Sequence, residues 1–266
     1  MLSWQTKQTT MALTLKKSLG QHFLHDENMC KKIVEQVHRS NDLQLLEIGP
    51  GGGAITKYLL QWEDTNYKAI EVDDEKVEYL PKAFPAIEGK LIHKDFLKAD
   101  KPFEGHFSVI GNFPYNISTQ ILFKILDWEE EVDEVIGMFQ KEVAQRVASK
   151  EGNKIYGILS VLIQAFFTTE YLFDVPPGCF NPPPKVMSGI LKMTNAKNPY
   201  HIEDKKTFIR IVKAAFNQRR KMLRNGLKGI FSAEMLEADI FSKRAEQLSV
   251  ADFVGLYNDY INQKNG

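Results

Sequence analysis

Gln44-Leu45-Leu46-Glu47-Ile48-Gly49-Pro50-Gly51-Gly52-Gly53 is the stretch that decides the fold. The first five residues are mostly aliphatic and read as a strand, the glycine run ends it, and Ala54 to Leu60 reads as a helix. Strand, glycine turn and helix in that order are the nucleotide-binding opening of an open, mostly parallel α/β sheet. Glycines there let the backbone approach a ligand with no Cβ in the way. A glycine turn alone is weak evidence, and the spacing of the acids downstream of it strengthens the case.

Tyr67 to Asp73 reads as a second strand with two acids near its carboxyl end, Glu71 and Asp73. An acid about 20 residues past the glycine turn is where ribose hydroxyls are gripped in such folds. The two acids share a strand face by the period of two, so spacing alone does not choose between them. Either also reads as a solvated strand-end acid or the cap of the helix predicted from Glu75 to about Ala83. Gly89 to Lys94 is a third strand, ending at Asp95-Phe96. There a carboxylate could read the edge of an adenine and a ring could cover its face, or Asp95 is simply a loop acid. Phe107 to Gly111 is a fourth strand, ending in Asn112-Phe113-Pro114-Tyr115. Four candidate ligand positions, Gly49, Glu71, Asp95 and Asn112, thus fall at the carboxyl ends of consecutive strands, the edge where this architecture binds ligands.

Beyond it, Ser118 is expected to cap a helix whose Ile121, Leu122, Ile125 and Leu126 share one side. Val132 to Phe139 reads as a strand, Lys141 to Ser149 as a helix, Tyr156 to Phe167 as a buried helix, and Tyr171 to Val175 with Gly189 to Met193 as a closing pair of strands. The segment between that pair holds five prolines from Pro176 to Pro184, a stiff extended loop carrying one aromatic, Phe180. Phe180 reads either as a core residue of a crossover or as a ring held ready to stack. Asn195 to Tyr200 is polar and marks a boundary. The expected organisation is a loosely ordered N-terminus (1–15), a sheet domain (16–196) and a small all-α domain (197–266), helical to about Asn262.

Composition sets outer bounds. With 43% hydrophobic and 26% charged residues the chain is no disordered polymer. The net charge is zero, yet Lys205 to Lys228 holds nine basic residues and no acid, leaving 25 basic against 34 acidic residues elsewhere. A neutral total therefore conceals a basic block on an acidic body, which can still bind an anionic partner. Arg220, Arg224 and Lys228 recur every four residues, predicting a basic stripe on one helix with Leu223, Leu227 and Ile230 on the neighbouring face. With Arg219 and Lys221 these are the candidate phosphate contacts; the plainer reading is a solvated helix face. Cys30 and Cys179 match no metal-ligand spacing and fit a reduced, cytoplasmic protein, and no metal is expected. No secretory leader is visible, and the longest apolar stretch, broken by Ser160 and Gln164, is too short to span a bilayer.

Asn112-Phe113-Pro114-Tyr115 is similar to the Asn/Asp-Pro-Pro-Tyr motifs of methyltransferases that act on amines conjugated to a flat ring system. The physical problem there is a poor nucleophile, its lone pair delocalised into the ring. Hydrogen bonds from both amine hydrogens to the Asn112 side chain and the Phe113 carbonyl favour a pyramidal nitrogen, which is positioning and electrostatics more than proton transfer. Tyr115 and Phe180 would sandwich a base drawn from its stack. S-adenosylmethionine then fits the strand-end site better than a dinucleotide.

Six landmarks in order carry a closer resemblance: Leu19-Gly20-Gln21-His22-Phe23-Leu24, Glu47-Ile48-Gly49-Pro50-Gly51, Glu71-Val72-Asp73, Asn112-Phe113-Pro114-Tyr115, Phe180-Asn181-Pro182-Pro183-Pro184-Lys185-Val186, and Phe216-Asn217-Gln218-Arg219-Arg220-Lys221-Met222-Leu223-Arg224-Asn225. From about Lys16 onward the chain resembles the bacterial small-subunit ribosomal RNA adenine dimethyltransferases. The resemblance implies a Rossmann-like S-adenosylmethionine-dependent methyltransferase sheet with a small all-α C-terminal domain. It implies dimethylation of two adjacent adenosines in the 3′-terminal hairpin of 16S rRNA within an immature 30S subunit, by a monomer. Carried over by motif, His22, Leu24, Gly49, Gly51, Glu71, Asp95, Phe96 and Asn112 would serve the cofactor, which would also choose Glu71 over Asp73 for the ribose. Asn112, Phe113, Tyr115 and Phe180 would serve the target adenine. Departures are His22 where many members have Asn, Lys94 where Gly commonly precedes Asp95, Phe113 for Leu, and Met187 where an acid is common. The nearest rival is a large-subunit adenine methylase; another is an assembly factor whose methylation is incidental, against which the retained Asn112 and Tyr115 argue.

Overall fold

A computed structural model describes residues 22–265. The expected loose segment 1–15 and the first three residues of the Leu19–Leu24 landmark lie outside the described residues.

In chain order, β1 (Phe23–Leu24) precedes α1 (Glu27–Val34), whose first turn is capped by Asp26 accepting from the Met29 amide at 2.9 Å. Next come β2 (Gln44–Ile48), α2 (Thr56–Leu59), β3 (Asn66–Glu71), α3 (Asp74–Ala83), β4 (Leu91–His93) and β5 (Phe107–Asn112). After these come α4 (Ser118–Asp127), β6 (Val132–Gln140), α5 (Lys141–Val147), α6 (Ile158–Gln164), β7 (Phe167–Val175), β8 (Phe180–Asn181) and β9 (Ser188–Asn195). The chain closes with α7 (Lys205–Asn217), α8 (Leu223–Leu227) and α9 (Val250–Asn265).

Seven strands form one sheet in the order β4-β3-β2-β5-β6-β9-β7, parallel except for β9, which runs antiparallel to both neighbours. The expected open, mostly parallel Rossmann-like α/β sheet is thus present. Leu45, Leu46, Glu47 and Ile48 are all buried because β2 lies at the centre with both faces covered. The chain runs outward from β2 to β4, then returns to β5 on the other side of β2. That reversal opens a crevice at the carboxyl ends of the strands, between β2 and β5.

Two polar residues in the apolar stretch of α6 have a structural task. Ser160 Oγ donates to the Arg146 carbonyl at 2.5 Å, and Gln164 Nε2 donates to the carbonyls of Val147 and Ser149 at 2.6 and 2.8 Å. They add donors for carbonyls at and just beyond the end of α5, where helical amides run out. The apolar core runs on from the sheet side into the C-terminal helices: Phe166 meets Phe208 edge to face, and Phe208 meets Tyr257 likewise.

Three local readings are corrected. Ser118 is the first residue of α4 rather than its cap, and its Oγ donates to the Tyr115 carbonyl at 3.2 Å. The segment after α8 is not continuous helix; short 3₁₀ turns occupy Met235–Glu237, Asp239–Ser242 and Ala245–Gln247 before α9. The helix expected to carry Arg220, Arg224 and Lys228 is shorter: Arg220 lies on the turn before it and Lys228 follows its last residue. α7 ends at Asn217, Gln218 leaves helical geometry with ψ +50°, and the chain reverses so that α8 packs back on α7. Burial of Leu223 and Leu227 drives this, since one straight helix would carry them away from the core.

The reversal depends on Gly226, where a Cβ would lie 2.7 Å from the Ala214 carbonyl oxygen of α7. In an open helix Gly→Ala stabilises by about 1 kcal/mol. Here the added methyl meets backbone, so Gly226→Ala is expected to destabilise by about 1–3 kcal/mol, read as a lower urea midpoint at unchanged slope.

Candidate functional site

The crevice holds a cavity of about 270 Å³. Its walls include nine of the residues picked from sequence: His22, Leu24, Gly49, Gly51, Glu71, Asp95, Asn112, Phe113 and Tyr115.

One end is built on the loop after β2. The Gly49 amide donates to the Ile70 carbonyl at 2.9 Å, extending the ladder by one bond. The chain then turns at Gly49 and Gly51, whose φ values of +68° and +56° favour glycine. A Cβ built on Gly49 would meet nothing within 4 Å, so the turn faces open space. Glu71 stitches this loop to the next strand end. Its Oε2 accepts from the Gly51 amide at 3.0 Å, and its Oε1 from the amides of Val72 and Asp73 at 2.9 and 3.0 Å. Asp73 instead accepts from the Glu75 amide as the cap of α3. Asp95 turns the chain after β4 by accepting from the Leu97 amide at 3.0 Å.

The other end is built on the turn after β5. Asn112 Nδ2 donates to the His22 carbonyl at 3.2 Å, which leaves Oδ1 as the amide atom able to accept. The Phe113 ring is buried edge to face against Phe139 at 5.0 Å, so this residue serves the cavity through its backbone. The Tyr115 ring lies 5.7 Å from that of His22, tilted by 31°. Its hydroxyl bonds Ser188 Oγ at 2.6 Å. Burial pushes the phenol above its usual range, while the serine works the other way.

Two residues picked from sequence are not on the walls. Phe96 turns into the core and meets Trp128 edge to face at 5.3 Å, and Leu97 lines the cavity in its place. Phe180 is only 2% exposed. It pairs with Leu24 across a two-stranded sheet of β1 and β8 and packs with Val175, Cys179 and Ile190. Its ring is therefore part of the support behind β1 and is not presented to the cavity. That strand pair also carries a bond from His22 Nδ1 to the Pro182 carbonyl at 3.0 Å. Sequence reading missed Glu47, Val72 and Leu97 as wall residues, and Ser188 as a partner of Tyr115. Glu47 had a signal, a charge in an otherwise aliphatic central strand; the others had none.

Glu47 is buried at the floor. Oε1 accepts from Thr56 Oγ1 at 3.1 Å and Oε2 from the Tyr67 hydroxyl. Burial pushes its carboxyl up to about 7, against the effect of the two hydroxyls, with nearby Glu71 adding a little.

The basic residues lie elsewhere. Arg219, Arg220 and Lys221 sit on the turn between α7 and α8, Arg224 within α8 and Lys228 at its end. Arg220, Lys221 and Lys228 are exposed, whereas Arg219 and Arg224 are half-buried. Arg219 is engaged: its Nη2 donates to the Lys154 carbonyl and its Nε lies 3.9 Å from Glu246 Oε2. The acid missing from the basic block is supplied by a segment distant in sequence. Among the described residues no cluster of His, Cys, Asp and Glu could hold a metal, and no helix is long and apolar enough to cross a membrane.

Comparison with known proteins bears on what such a site is for. The family model described as ribosomal RNA adenine dimethylase matches residues 12–262. The chain is 52% identical over 248 residues to ribosomal RNA small subunit methyltransferase A of Cytophaga hutchinsonii, covering 91% of this chain and 96% of that one. It is 51% identical to the protein of the same name from Flavobacterium johnsoniae, covering 91% and 94%. Among solved structures, a dimethyladenosine transferase from Plasmodium falciparum shares the fold, with a TM-score of 0.81 at 23% identity over 91% of this chain and 98% of that one.

The Glu47 environment gives a stability prediction with a definite sign. Its folded pKa of about 7 exceeds the ordinary 4.5, so between those values the folded protein holds a proton that the unfolded chain has lost. Stability is greatest below that window, falls as pH rises through it, and is lower by about 3 kcal/mol above pH 7. Glu47→Gln is expected to flatten this part of the profile, measured by urea denaturation at several pH values.

Proposed function

The chain belongs to the ribosomal RNA adenine dimethylase family, and from that premise we propose that it dimethylates the exocyclic amines of two adjacent adenosines in the 3′-terminal hairpin of 16S rRNA. In this reading it acts as a cytoplasmic monomer on an immature 30S subunit, with S-adenosylmethionine as methyl donor, as a step of small-subunit biogenesis. About half of all positions are identical to relatives named for the small subunit, which favours that subunit over the large one.

The observation that carries the chemistry is the amide of Asn112, fixed by the His22 carbonyl so that its oxygen is the free acceptor beside the Tyr115 ring. The residues present fit the cofactor. An open glycine turn allows close backbone approach, and Glu71 retains acceptor capacity for ribose hydroxyls beyond its three amide bonds. Asp95 and Leu97 would hold an adenine by edge and face, with the exposed Val72 beside them, and His22 and Leu24 would close the near side. Glu47 offers a carboxylate on the floor to an ammonium group. When bound, the cofactor supplies an electrophilic methyl on a sulfonium.

This chain's own residues orient the acceptor. Asn112 Oδ1 and the Phe113 carbonyl take the two amine hydrogens, which draws the lone pair out of conjugation and aims it along the crevice. Tyr115 supplies the face on which the base stacks, offsetting part of the cost of unstacking it from RNA. Phe180 would join it only if β1 and β8 part. No strong base is required, because the methylated ammonium is acidic and releases its proton to water. Arg220, Lys221 and Lys228 would contact phosphates directly. Arg219 and Arg224, being partly buried, would shape that surface.

The test uses the purified protein, tritiated S-adenosylmethionine and 30S particles lacking the terminal-hairpin methyls. Label on two adjacent adenosines is expected; absence of label there, with label on naked large-subunit RNA, would overturn the assignment. In the same assay Asn112→Ala should lose turnover by about 10²-fold or more, with a much smaller loss of cofactor affinity. Loss of affinity with intact turnover would contradict its role.

The RNA surface has its own readout. Replacing Arg220 and Lys221 together by Gln should weaken particle binding and lower the slope of log affinity against log salt by roughly 1.5. An unchanged slope would mean that these side chains are merely solvated.

A further inference from the structure

The geometry points to Ser188 as a positioning residue for the proposed reaction, holding the Tyr115 ring in the place where the target base stacks. The inference rests on the reading of Tyr115 as the stacking face at the acceptor end.

Tyr115 stands on a turn and is half-buried. On the cavity side the nearest ring is that of His22, tilted by 31° at 5.7 Å, a loose contact that fixes no angle. A side chain on a turn can swing between rotamers about its first torsion, and a contact of this kind does not by itself choose one. The directional restraint is the bond of 2.6 Å between its hydroxyl and Ser188 Oγ. Together with the bond from Ser118 Oγ to the Tyr115 carbonyl, it ties the residue down at both ends.

Ser188 is suited to act as a fixed point. It is fully buried and is the first residue of β9, in register with Gln140 of β6 on one side and Val175 of β7 on the other. The preceding carbonyl, of Met187, accepts from the Lys141 amide at 2.9 Å. Its hydroxyl is thus placed by sheet register rather than by a loop. No other hydrogen bond engages that hydroxyl among the described residues. The proline-rich segment before it is stiff, and Ser188 is where that segment enters the sheet. A ring free to swing away would leave the base without a fixed platform from which to present its amine to Asn112; small misplacements of reacting groups are costly in rate.

A double-mutant cycle on the 30S assay tests this with wild type, Ser188→Ala, Tyr115→Phe and the double variant. Each single variant is expected to lower kcat about tenfold and to leave KM for S-adenosylmethionine within about twofold. The double variant should be no slower than either single one, because both remove the same bond. A wild-type kcat for Ser188→Ala overturns the proposal. So does a double variant that loses the product of the two factors, since Ser188 would then act through the fold alone. If Ser188→Ala does not fold, Tyr115→Phe decides, because it removes the bond with β9 intact; an unchanged kcat there overturns the proposal. A wild-type protein that does not label the particles refutes the proposed function instead, and shows this before any variant is compared.

Discussion

The acceptor end of the crevice depends on one bond, from the Asn112 amide to the carbonyl of His22, 90 positions earlier in the chain. Without it the amide of Asn112 could present either nitrogen or oxygen. The bond settles which, but only as long as His22 stays in place, and His22 is held in turn by the proline-rich segment beyond Val175. Its imidazole bonds Pro182, and the next two residues pair with Asn181 and Phe180. The prolines then lead to Ser188, which returns to Tyr115, three residues from Asn112. The path from Asn112 through β1, β8 and β9 back to Tyr115 is therefore a closed ring of contacts. β1 and β8, two residues each, could not hold their own conformation; their pairing and the anchorage of β9 in the main sheet order them. Phe180 belongs to this ring as ballast, and its burial behind Leu24 is what keeps a two-residue strand pair in place.

The donor end is organised differently, around carboxylates in a central sheet. Glu71 is matched to three backbone amides and so serves as a staple between two loops. Glu47, one strand away, is offered two hydroxyls and no amide, and its burial costs the charged form dearly. Such a group weakens the fold as pH rises and is better replaced by an uncharged side chain on stability grounds alone. Under the proposed function, a ligand that brings a positive charge to the cavity floor would compensate it. Active sites commonly keep groups that cost stability because function needs them.

How much of this the sequence disclosed depends on how local each feature is. The strand, glycine turn and helix at Gln44–Leu59 are written in contiguous residues, and so are the four strand ends that gather at the crevice. Glu71 and Asp73 could not be separated by period alone; the structure separates them because the strand stops at Glu71 and Asp73 turns to cap α3. Phe96 and Leu97 exchange places because a 3₁₀ turn, with three residues per turn, reverses which side chain meets the cavity. The pairing of β1 with β8 joins segments far apart in the chain, and two-residue strands leave no periodicity to read. In the basic block the spacing of four from Arg220 to Lys228 fits one helix, but Arg220 lies on a turn because burial of Leu223 and Leu227 against α7 requires a reversal.

That reversal changes what the basic block is. On a straight helix Arg220, Arg224 and Lys228 would form a line of equivalent charges, and any RNA contact would be spread along it. Folded back, the charges divide. Arg219 is bound to the Lys154 carbonyl and sits near Glu246, and the Gly152 amide donates to the Glu246 carbonyl at 2.7 Å. The loop after α5, the α7–α8 turn and the 3₁₀ turn at Ala245–Gln247 are thereby locked together. The exposed Arg220 and Lys221 project from a corner whose neighbour Arg219 is tied down. A corner anchored in this way would lose less entropy on binding than a free segment, which would suit contact with a folded RNA surface. The acidic remainder of the chain would repel phosphate elsewhere, so the same division that weakens the stripe as a line sharpens it as an address.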